Sequence, residues 1–385
     1  GACADICPQK CISMKYNEDG FAFPDLDNEM CVNCGKCEKT CPMENNDETI
    51  KKPENVVAYA IYSKDDNVIL KSSSGGVFST IAKSILRDDG IVFGASLENR
   101  EVRTIGIEKE EDLYKIQGSK YIQSDTENCF SKIKDNLEGG KKVFYTATPC
   151  QVSALRKFLG RDYDNLYTAD FICHGVPSNL IFKKYVEFLE DKHKGELTDI
   201  NFRDKERYGW SITLRYDIRK NGKVKRYYVP SKLSEYFTAF LRGYILRESC
   251  YNCPRANLNR AGDLTFGDYW GYQKVLPEIK NTKGLSIVLV NSEKGGNMIS
   301  LLEKEKCFVK KLTKKESMVE ENINLFRPTP RPDIRSKTYK ELHAEGFKVI
   351  AKRYFSCSKT PKEIIKSKLP PKVLEYIKNK RQNKS

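Results

Sequence analysis

The chain has 385 residues, 39% hydrophobic side chains and a formal net charge of +15, so about two or three folded domains are expected. No stretch approaches about 18 uncharged apolar residues, which argues against a membrane-spanning helix. Seven of the 14 cysteines fall within the first 41 residues. That density favours metal ligation in a reducing cytoplasm over a disulfide framework, and a cytoplasmic protein is expected.

The N-terminal region contains a duplicated cysteine pattern. Residues 31–42 follow the spacing C-x2-C-x2-C-x3-C-P, which is typical of ferredoxins that hold two 4Fe-4S clusters. The shorter pattern G-x-C-x3-C-P begins at Gly1 and recurs 34 residues later at Gly35. In such ferredoxins the fourth cysteine of each run binds the other cluster.

This rule predicts the ligands of one complete cluster, which are Cys7, Cys31, Cys34 and Cys37. A second cluster would include Cys3 and Cys41, and its other two ligands would precede Gly1, so we expect a fragment with one truncated cluster site. Zinc sites and disulfides are the alternatives, but neither predicts a duplicated run of this spacing. Cys11 has no counterpart in the second copy and is expected to be a small buried side chain.

Residues 1–48 are thus predicted to form a small ferredoxin-like iron–sulfur domain, followed by a linker at 51–55. Beyond it, strand and helix patterns alternate, which predicts an α+β or α/β body with a mixed sheet. Predicted strands cover 56–62, 91–97, 143–147, 166–172, 195–203, 211–217, 224–229, 262–267 and 285–291, and predicted helices cover 76–88 and 150–159. We divide the body into an N-terminal part (55–130), a C-terminal part (131–325) and a basic peripheral tail (326–385).

A run of small residues, 72–76, precedes the predicted helix that begins near Val77. Small side chains at a helix start let backbone N–H groups and the positive end of the helix approach an anion closely. Serine and glycine are also ordinary helix caps. The residues alone therefore leave a phosphate site and a simple cap as alternatives.

Four cysteines of the body form a second candidate site. Cys150 lies in the first turn of a predicted helix, where the pKa of a thiol is lowered, so it is a candidate ligand, nucleophile or buried side chain. Cys173 follows the next predicted strand, and Cys250 and Cys253 form a C-x2-C pair. Four such thiols could bind a further 4Fe-4S cluster or zinc, or provide a redox-active dithiol.

The net positive charge has three interpretations. A basic surface can steer an acidic electron-carrier protein, contact nucleic acid, or be a solvated face rich in lysine. Assembled clusters carry negative thiolates, so they reduce the charge but leave the chain basic. Nucleic acid is not the expected partner.

The motifs taken together resemble the coenzyme F-420 hydrogenase/dehydrogenase beta-subunit family, in its form with an N-terminal two-cluster ferredoxin domain. The resemblance covers roughly residues 1–325. It rests on the ferredoxin run, Ser73-Ser-Gly-Gly76, Gly118-Ser-Lys-Tyr121, Thr148-Pro-Cys-Gln151, Cys173-His-Gly175, Asn201-Phe-Arg-Asp-Lys205, Cys250-x2-Cys253 and Gly262-Asp-Leu-Thr-Phe-Gly-Asp268.

This resemblance implies an oxidoreductase, a flavoprotein that binds FAD and holds a 4Fe-4S cluster in the body. The flavin site would be lined by Ser73, Ser74, Gly75 and Gly76, with Lys120 reaching the phosphates or the ring. Clusters and FAD would exchange electrons, and FAD would exchange hydride with a small acceptor, a deazaflavin or another molecule. The resemblance assigns no catalytic residue.

An electron-carrier protein or a redox partner subunit would bind at the ferredoxin domain. The truncated cluster site would then be the outermost station of the relay. Two alternatives remain: a non-catalytic electron-transfer subunit of a larger redox complex, and a basic nucleic-acid-binding protein with structural metal.

Overall fold

The computed structural model describes residues 1–43, 56–317 and 320–357, together with residues 369 and 373. The predicted linker at 51–55 and most of the tail beyond 357 lie outside these residues. The strands in chain order are β1 (Ile12–Tyr16), β2 (Ala22–Leu26), β3 (Val57–Ser63), β4 (Ile91–Glu98), β5 (Glu101–Ile107), β6 (Val143–Ala147), β7 (Leu166–Phe171), β8 (Glu196–Asn201), β9 (Thr213–Lys220), β10 (Lys223–Pro230), β11 (Leu264–Asp268), β12 (Ser286–Val290) and β13 (Cys307–Lys311).

The helices range from single turns to the 15 residues of α8. They are α1 (Ala2–Ile6), α2 (Lys36–Thr40), α3 (Asp66–Ile69), α4 (Val77–Arg87), α5 (Leu113–Ile116), α6 (Cys129–Glu138), α7 (Pro149–Leu159), α8 (Asn179–His193), α9 (Glu235–Leu241), α10 (Glu248–Tyr251), α11 (Glu293–Lys304), α12 (Lys314–Ser317), α13 (Ile334–Glu345) and α14 (Phe347–Tyr354). No helix in the part of the chain that the structure describes is long and apolar enough to cross a membrane.

Residues 1–43, which we call the ferredoxin module, fold as two equivalent halves. β1 and β2 form an antiparallel hairpin, and each of the short helices α1 and α2 carries a cysteine at its second position and ends at another. The C-capping cysteines, Cys7 and Cys41, have nearly the same backbone angles (φ −68° and ψ 115°, φ −64° and ψ 125°), and their N–H groups bond to Ala4 and Glu38. The 34-residue repeat of the sequence is therefore also a repeat of conformation.

The body is built on an eight-stranded sheet with the order β13-β3-β12-β11-β7-β6-β4-β5. β4, β6, β7 and β11 are parallel, whereas β5, β12 and β13 are antiparallel to their neighbours. β3 is antiparallel to β12 and so runs in the same direction as β11. The mixed-sheet α/β architecture expected from the sequence is confirmed, and the parallel strands end at one shared edge.

Two apolar cores cover the two faces of this sheet. Val92 and Phe144 belong to the core under α4 and α11, whereas their neighbours Phe93 and Tyr145 belong to the core under α6 and α7. Successive strand residues point to opposite faces, which places the two helix pairs on opposite sides. Ala2 of the ferredoxin module also packs into the second core.

The chain divides into two compact units. The first comprises Gly1–Asn179 and Arg247–Thr329 and contains the ferredoxin module and the large sheet. The second comprises Leu180–Leu246 and Pro330–Ser385. It contains the antiparallel sheet β10-β9-β8 and a group of stacked aromatic rings that includes Tyr185 and Tyr236. Each of these units combines two separate stretches of the chain, whereas each of the four segments expected from the sequence is one continuous stretch. The division into four segments stays a prediction.

Candidate functional site

A cavity of about 220 Å³ in the ferredoxin module is lined by five cysteine side chains. They are Cys7, Cys11, Cys31, Cys34 and Cys37. Four of them are the ligands predicted for one complete 4Fe-4S cluster, including the one that crosses over from the other half of the repeat. The thiols that the spacing rule groups together thus surround one space, and their assignment as ligands stays a prediction.

The loop that carries three of these thiols depends on a glycine. Gly35 caps α2 with φ 69°, in the left-handed region, where a residue with a side chain is strained. A Cβ at this position would meet nothing within 4 Å, so the backbone conformation rather than space requires glycine. The turn at Gly35 separates Cys34 from Cys37 and lets both line the cavity.

The surroundings of Cys7 lower the pKa of its thiol. Burial opposes its ionisation, but hydrogen bonds from the Cys11 side chain and from the backbone N–H groups of Cys11, Gln9 and Lys10 outweigh that effect and lower its pKa. The Cys7 and Cys11 sulfur atoms lie 3.3 Å apart. Because iron binds the thiolate form, these donors favour Cys7 as a ligand.

Cys11 is buried, as expected from the sequence, but it also faces the cavity. The hydrogen bond to Cys7, followed by burial, raises the pKa of Cys11 to about 12. When Cys7 is a thiolate, the Cys11 thiol is the group that can donate to it. The sequence pattern did not reveal this contact, because Cys11 lies outside the ferredoxin spacing.

The ferredoxin module is attached to the body by a carboxylate at the start of a helix. Asp5 accepts hydrogen bonds from the N–H groups of Asn128 (3.0 Å), Phe130 (3.0 Å) and Ser131 (3.3 Å). These groups belong to the N-terminus of α6, where unpaired N–H groups and the helix dipole favour a negative charge. Burial nevertheless raises the pKa of Asp5 above its ordinary value.

Two cations of the body hold the end of the module. Lys157 donates to the carbonyl oxygen of Cys41 at 2.9 Å, and Arg255 donates to that of Pro42 at 3.1 and 3.3 Å. Cys41 therefore lies next to the body, whereas Cys34 is exposed. The expectation that Cys3 and Cys41 belong to the outermost station of a relay stays a prediction, because the spacing of cysteines carries no information about which side of the module the body covers.

The four body cysteines lie near the edge where the parallel strands end. Cys150 follows β6, in the first turn of α7, and Cys173 follows the neighbouring strand β7. Cys250 lies in α10, and Cys253 follows it. Thr148 caps α7 through Gln151, and its hydroxyl lies 3.2 Å from the Cys150 sulfur.

These thiols are close enough to influence one another's ionisation. Burial raises the pKa of Cys250 to about 12, and the charges of Cys150 and Cys253 add to this effect. Burial, followed by the charges of Cys250 and Cys150, raises the pKa of Cys173 well above its ordinary value. The structure thus brings the four candidates together, and a metal that binds them must displace their protons.

Among the residues that the structure describes, no three or more His, Cys, Asp or Glu side chains have the close spacing that a single metal ion requires. All cysteines in the described segments are free thiols. Whether the body thiols bind a cluster stays a prediction.

Arg247 connects the ferredoxin module to the body thiols. Its guanidinium lies 3.9 Å from the centre of the Phe23 ring and donates to the carbonyl oxygen of Ala22 at 2.7 Å. Burial lowers its pKa, whereas the charges of Cys250 and Cys150 raise it. No motif in the sequence marked this residue, since its role depends on contacts between distant segments.

A buried ion pair fixes the segment that carries Cys253. Arg260 and Asp170 expose only 1% and 0% of their side chains, and their closest approach is 2.7 Å. Arg260 also donates to the carbonyl oxygens of Arg255 (3.0 Å) and Phe171 (3.0 Å). The pair therefore joins the end of β7 to the chain between Cys253 and β11.

Glycine is required beside this pair. Gly262 donates to Asp170 at 3.1 Å, and a Cβ on Gly262 would lie 2.6 Å from the backbone nitrogen of Asp170. The motif that begins at Gly262 thus supports the position of the body thiols through backbone packing.

The predicted flavin loop lies at the same edge of the sheet, between α3 and α4. Its polar groups are used within the protein. Ser73 accepts from the N–H and hydroxyl of Ser119 (2.8 and 2.9 Å), Ser74 donates to the carbonyl oxygen of Leu285 (2.9 Å), and Gly75 donates to Ser286 (2.9 Å). The edge itself is where ligands of α/β sheets bind, and the assignment of these serines to a flavin stays a prediction.

The structure itself requires glycine at positions 75 and 76. A Cβ at Gly75 would lie 2.3 Å from the carbonyl oxygen of Ile61, and Gly76 caps α4 with φ 91°. Both glycines are explained by packing and by the start of the helix. Their assignment to a flavin stays a prediction.

Lys120, the last predicted flavin residue, is joined to the same loop through Ser119. Its ammonium donates to the carbonyl oxygens of Gln117 (2.8 Å) and Lys115 (3.2 Å). Burial lowers its pKa from the usual 10.5 to about 7. A negatively charged ligand beside it would favour the charged form.

The pKa of Lys120 predicts a pH-dependent stability. In flavin-free protein the folded state binds fewer protons than the unfolded state between pH 7 and pH 10.5, so the free energy of unfolding should rise with pH across this window. Lys120→Met should remove that increment. Urea unfolding of both proteins from pH 6 to pH 9 checks this, and parallel curves for the two proteins would contradict it.

Two parts of the chain match models of known protein families. Residues 140–315 match the model of the C-terminal region of the coenzyme F420 hydrogenase/dehydrogenase beta subunit. Residues 1–45 match the 4Fe-4S dicluster domain. No curated protein matches the chain.

One similar solved structure is the xenon-derivatised F420-reducing [NiFe] hydrogenase complex from Methanosarcina barkeri. The matched chain is 17% identical, and the alignment covers 80% of this chain and 94% of that chain with a TM-score of 0.43.

Proposed function

Because the chain belongs to the coenzyme F420 hydrogenase/dehydrogenase beta-subunit family, in its form with an N-terminal ferredoxin-type domain, we propose that it transfers electrons through iron–sulfur clusters. The observation that carries the proposal is the cavity lined by Cys7, Cys31, Cys34 and Cys37. In this proposal these four thiolates hold one 4Fe-4S cluster at the exposed side of the ferredoxin module.

The contacts of the module support one order for the relay. Electrons exchange with a partner at the exposed cluster, pass the end of the module that carries Cys41, and reach the body thiols. The hydrogen bond from Arg255 to the carbonyl oxygen of Pro42 supports this order, because Arg255 is two residues from Cys253. A short path of covalent bonds and one hydrogen bond thus joins the module to the body site.

Arg247 has a supporting role in this relay. A guanidinium next to the body thiols offsets part of the negative charge that a cluster with four thiolates brings. Charge and hydrogen bonds around a cluster set its reduction potential, so Arg247 is proposed to raise the potential of the body cluster.

For two-electron chemistry, the proposal places FAD at the carboxyl edge of the parallel strands, near Lys120 and the loop 73–76. When bound, the flavin would supply hydride exchange with a small acceptor. The position of the loop 73–76 at the ends of the parallel strands supports this proposal, because ligands of α/β sheets bind at this edge. Lys120 would provide the positive charge there, and the loop would shape the wall through its fixed backbone.

The second candidate function is a non-catalytic electron-transfer subunit within a larger redox complex. The observation that favours it is the internal use of the loop's polar groups: Ser73 accepts from Ser119, and Ser74 and Gly75 donate to Leu285 and Ser286. Such a subunit would carry clusters and pass electrons to a partner subunit that holds the active site.

One experiment separates the two candidates. Anaerobically purified protein is analysed for iron, acid-labile sulfide and flavin released on denaturation, and then tested with small hydride acceptors. The flavoenzyme should release FAD and reduce an acceptor. A colourless supernatant from iron-replete protein that reduces no acceptor would favour the electron-transfer subunit, and zinc as the main metal would reject both.

A further inference from the structure

We infer that Cys11 is an alternative ligand of the exposed cluster and shares the corner held by Cys7, an assignment that rests on the cluster proposed above. Five thiols line the cavity, one more than a 4Fe-4S cluster needs. Cys11 is the one that the ferredoxin spacing leaves out, and it is the one in contact with a predicted ligand.

The distance between the two sulfur atoms carries this inference. They lie 3.3 Å apart, and both line the same cavity, so an iron bonded to one is close to the other. Ligand exchange then requires rotation of side chains and little movement of the backbone. The exchange is a substitution: the Cys11 thiol releases its proton to solvent as its sulfur bonds iron, the Cys7 sulfur leaves and takes up a proton, and no electron is transferred.

The backbone holds the two residues in this arrangement. Lys10 donates to the carbonyl oxygen of Cys7 at 3.2 Å, and Asp27 donates to the carbonyl oxygen of Cys11 at 2.8 Å. The turn at Lys10, with φ 51°, brings the chain from the end of α1 to the start of β1. The backbone of Cys11 is thereby held at the wall of the cavity.

Cys11 has a second effect while Cys7 is the ligand. Its S–H group donates to the Cys7 sulfur, and hydrogen bonds to cluster sulfurs change the reduction potential by stabilising the more negative, reduced form. A small buried side chain without the thiol would fill the same space and lack this effect. Cys129 is also buried but does not line the cavity, so it serves as a matched control.

The test uses the full chain, reconstituted anaerobically with iron and sulfide, and the variants C7A, C11A, C7A/C11A, C34A and C129A. Iron and sulfide content and the electron paramagnetic resonance of the reduced protein are measured. C7A should keep the iron content of the parent chain with a changed signal, and C7A/C11A and C34A should each lose iron from this cluster. C11A should keep its iron and titrate at a lower potential than C129A.

Equal loss of iron in C7A and C7A/C11A would overturn the assignment of Cys11. This result differs from failure of the proposed cluster. If no cluster formed at this site, C34A would lose no iron relative to the parent chain. Far-ultraviolet circular dichroism of each variant identifies any loss of iron that follows from misfolding. Should C7A fold poorly, C7S replaces it, and retention of iron in C7S but not in C7S/C11A gives the same answer.

Discussion

Replacement of Arg260 by alanine is expected to lower the free energy of unfolding by about 3–5 kcal/mol, because it leaves the carboxylate of Asp170 buried without its partner. Arg260 donates to this carboxylate and to three backbone carbonyl oxygens. Arg260→Lys should recover only part of the loss, since an ammonium cannot reproduce the planar set of donors. Urea unfolding at constant cluster content measures the change.

An exposed ion pair provides the control. Lys142 and Asp88 lie 2.8 Å apart but expose 45% and 55% of their side chains, and exposed pairs contribute little. Lys142→Ala should therefore change stability far less than Arg260→Ala. Similar losses for the two variants would show that burial of the Arg260 pair does not determine its importance.

The double variant Cys250→Ser, Cys253→Ser is expected to lose one 4Fe-4S cluster, about four irons per chain, and to keep the cluster of the ferredoxin module. The two thiols that this variant removes lie in α10 and just after it, whereas the thiols of the ferredoxin module line a separate cavity. Electron transfer from the module to any acceptor in the body should fall with the cluster. Iron analysis and redox titration followed by electron paramagnetic resonance measure the two effects.

Cys307→Ser is the matched control for this experiment. Cys307 is buried, and its sulfur lies 3.9 Å from the Thr80 hydroxyl, away from the predicted ligand set. Its replacement should leave the iron content unchanged. Constant iron in the double variant as well would mean that the body thiols bind no cluster.

The sequence predicted the central strands of the body closely, because their patterns are strong and their ends are marked by small or polar residues. Residues 143–147 were predicted as a strand and are β6, and the predicted helix 76–88 is α4 (77–87). The edge strands β5 and β13 were not predicted. Charged residues interrupt their apolar pattern, as is common at sheet edges.

The site was predicted where it depends on spacing and missed where it depends on tertiary contacts. The spacing rule grouped the four thiols that line the module's cavity. It could not identify Asp5, Arg247 or Arg255, whose partners lie more than 100 residues away. The assignment of Ser73 and Ser74 to a flavin came from the family resemblance and stays a prediction, and the sequence did not indicate their contacts with Leu285 and Ser119.

The cap formed by Asp5 and the clamps of Lys157 and Arg255 bear on how electrons leave the ferredoxin module. A carrier domain that swings on a tether must break its contacts in every cycle, and its rate is limited by diffusion of the domain. This module would have to release several hydrogen bonds to do so. Transfer at a constant separation is therefore expected, and proteolytic cleavage between residues 44 and 55 should leave the module bound and the transfer rate unchanged.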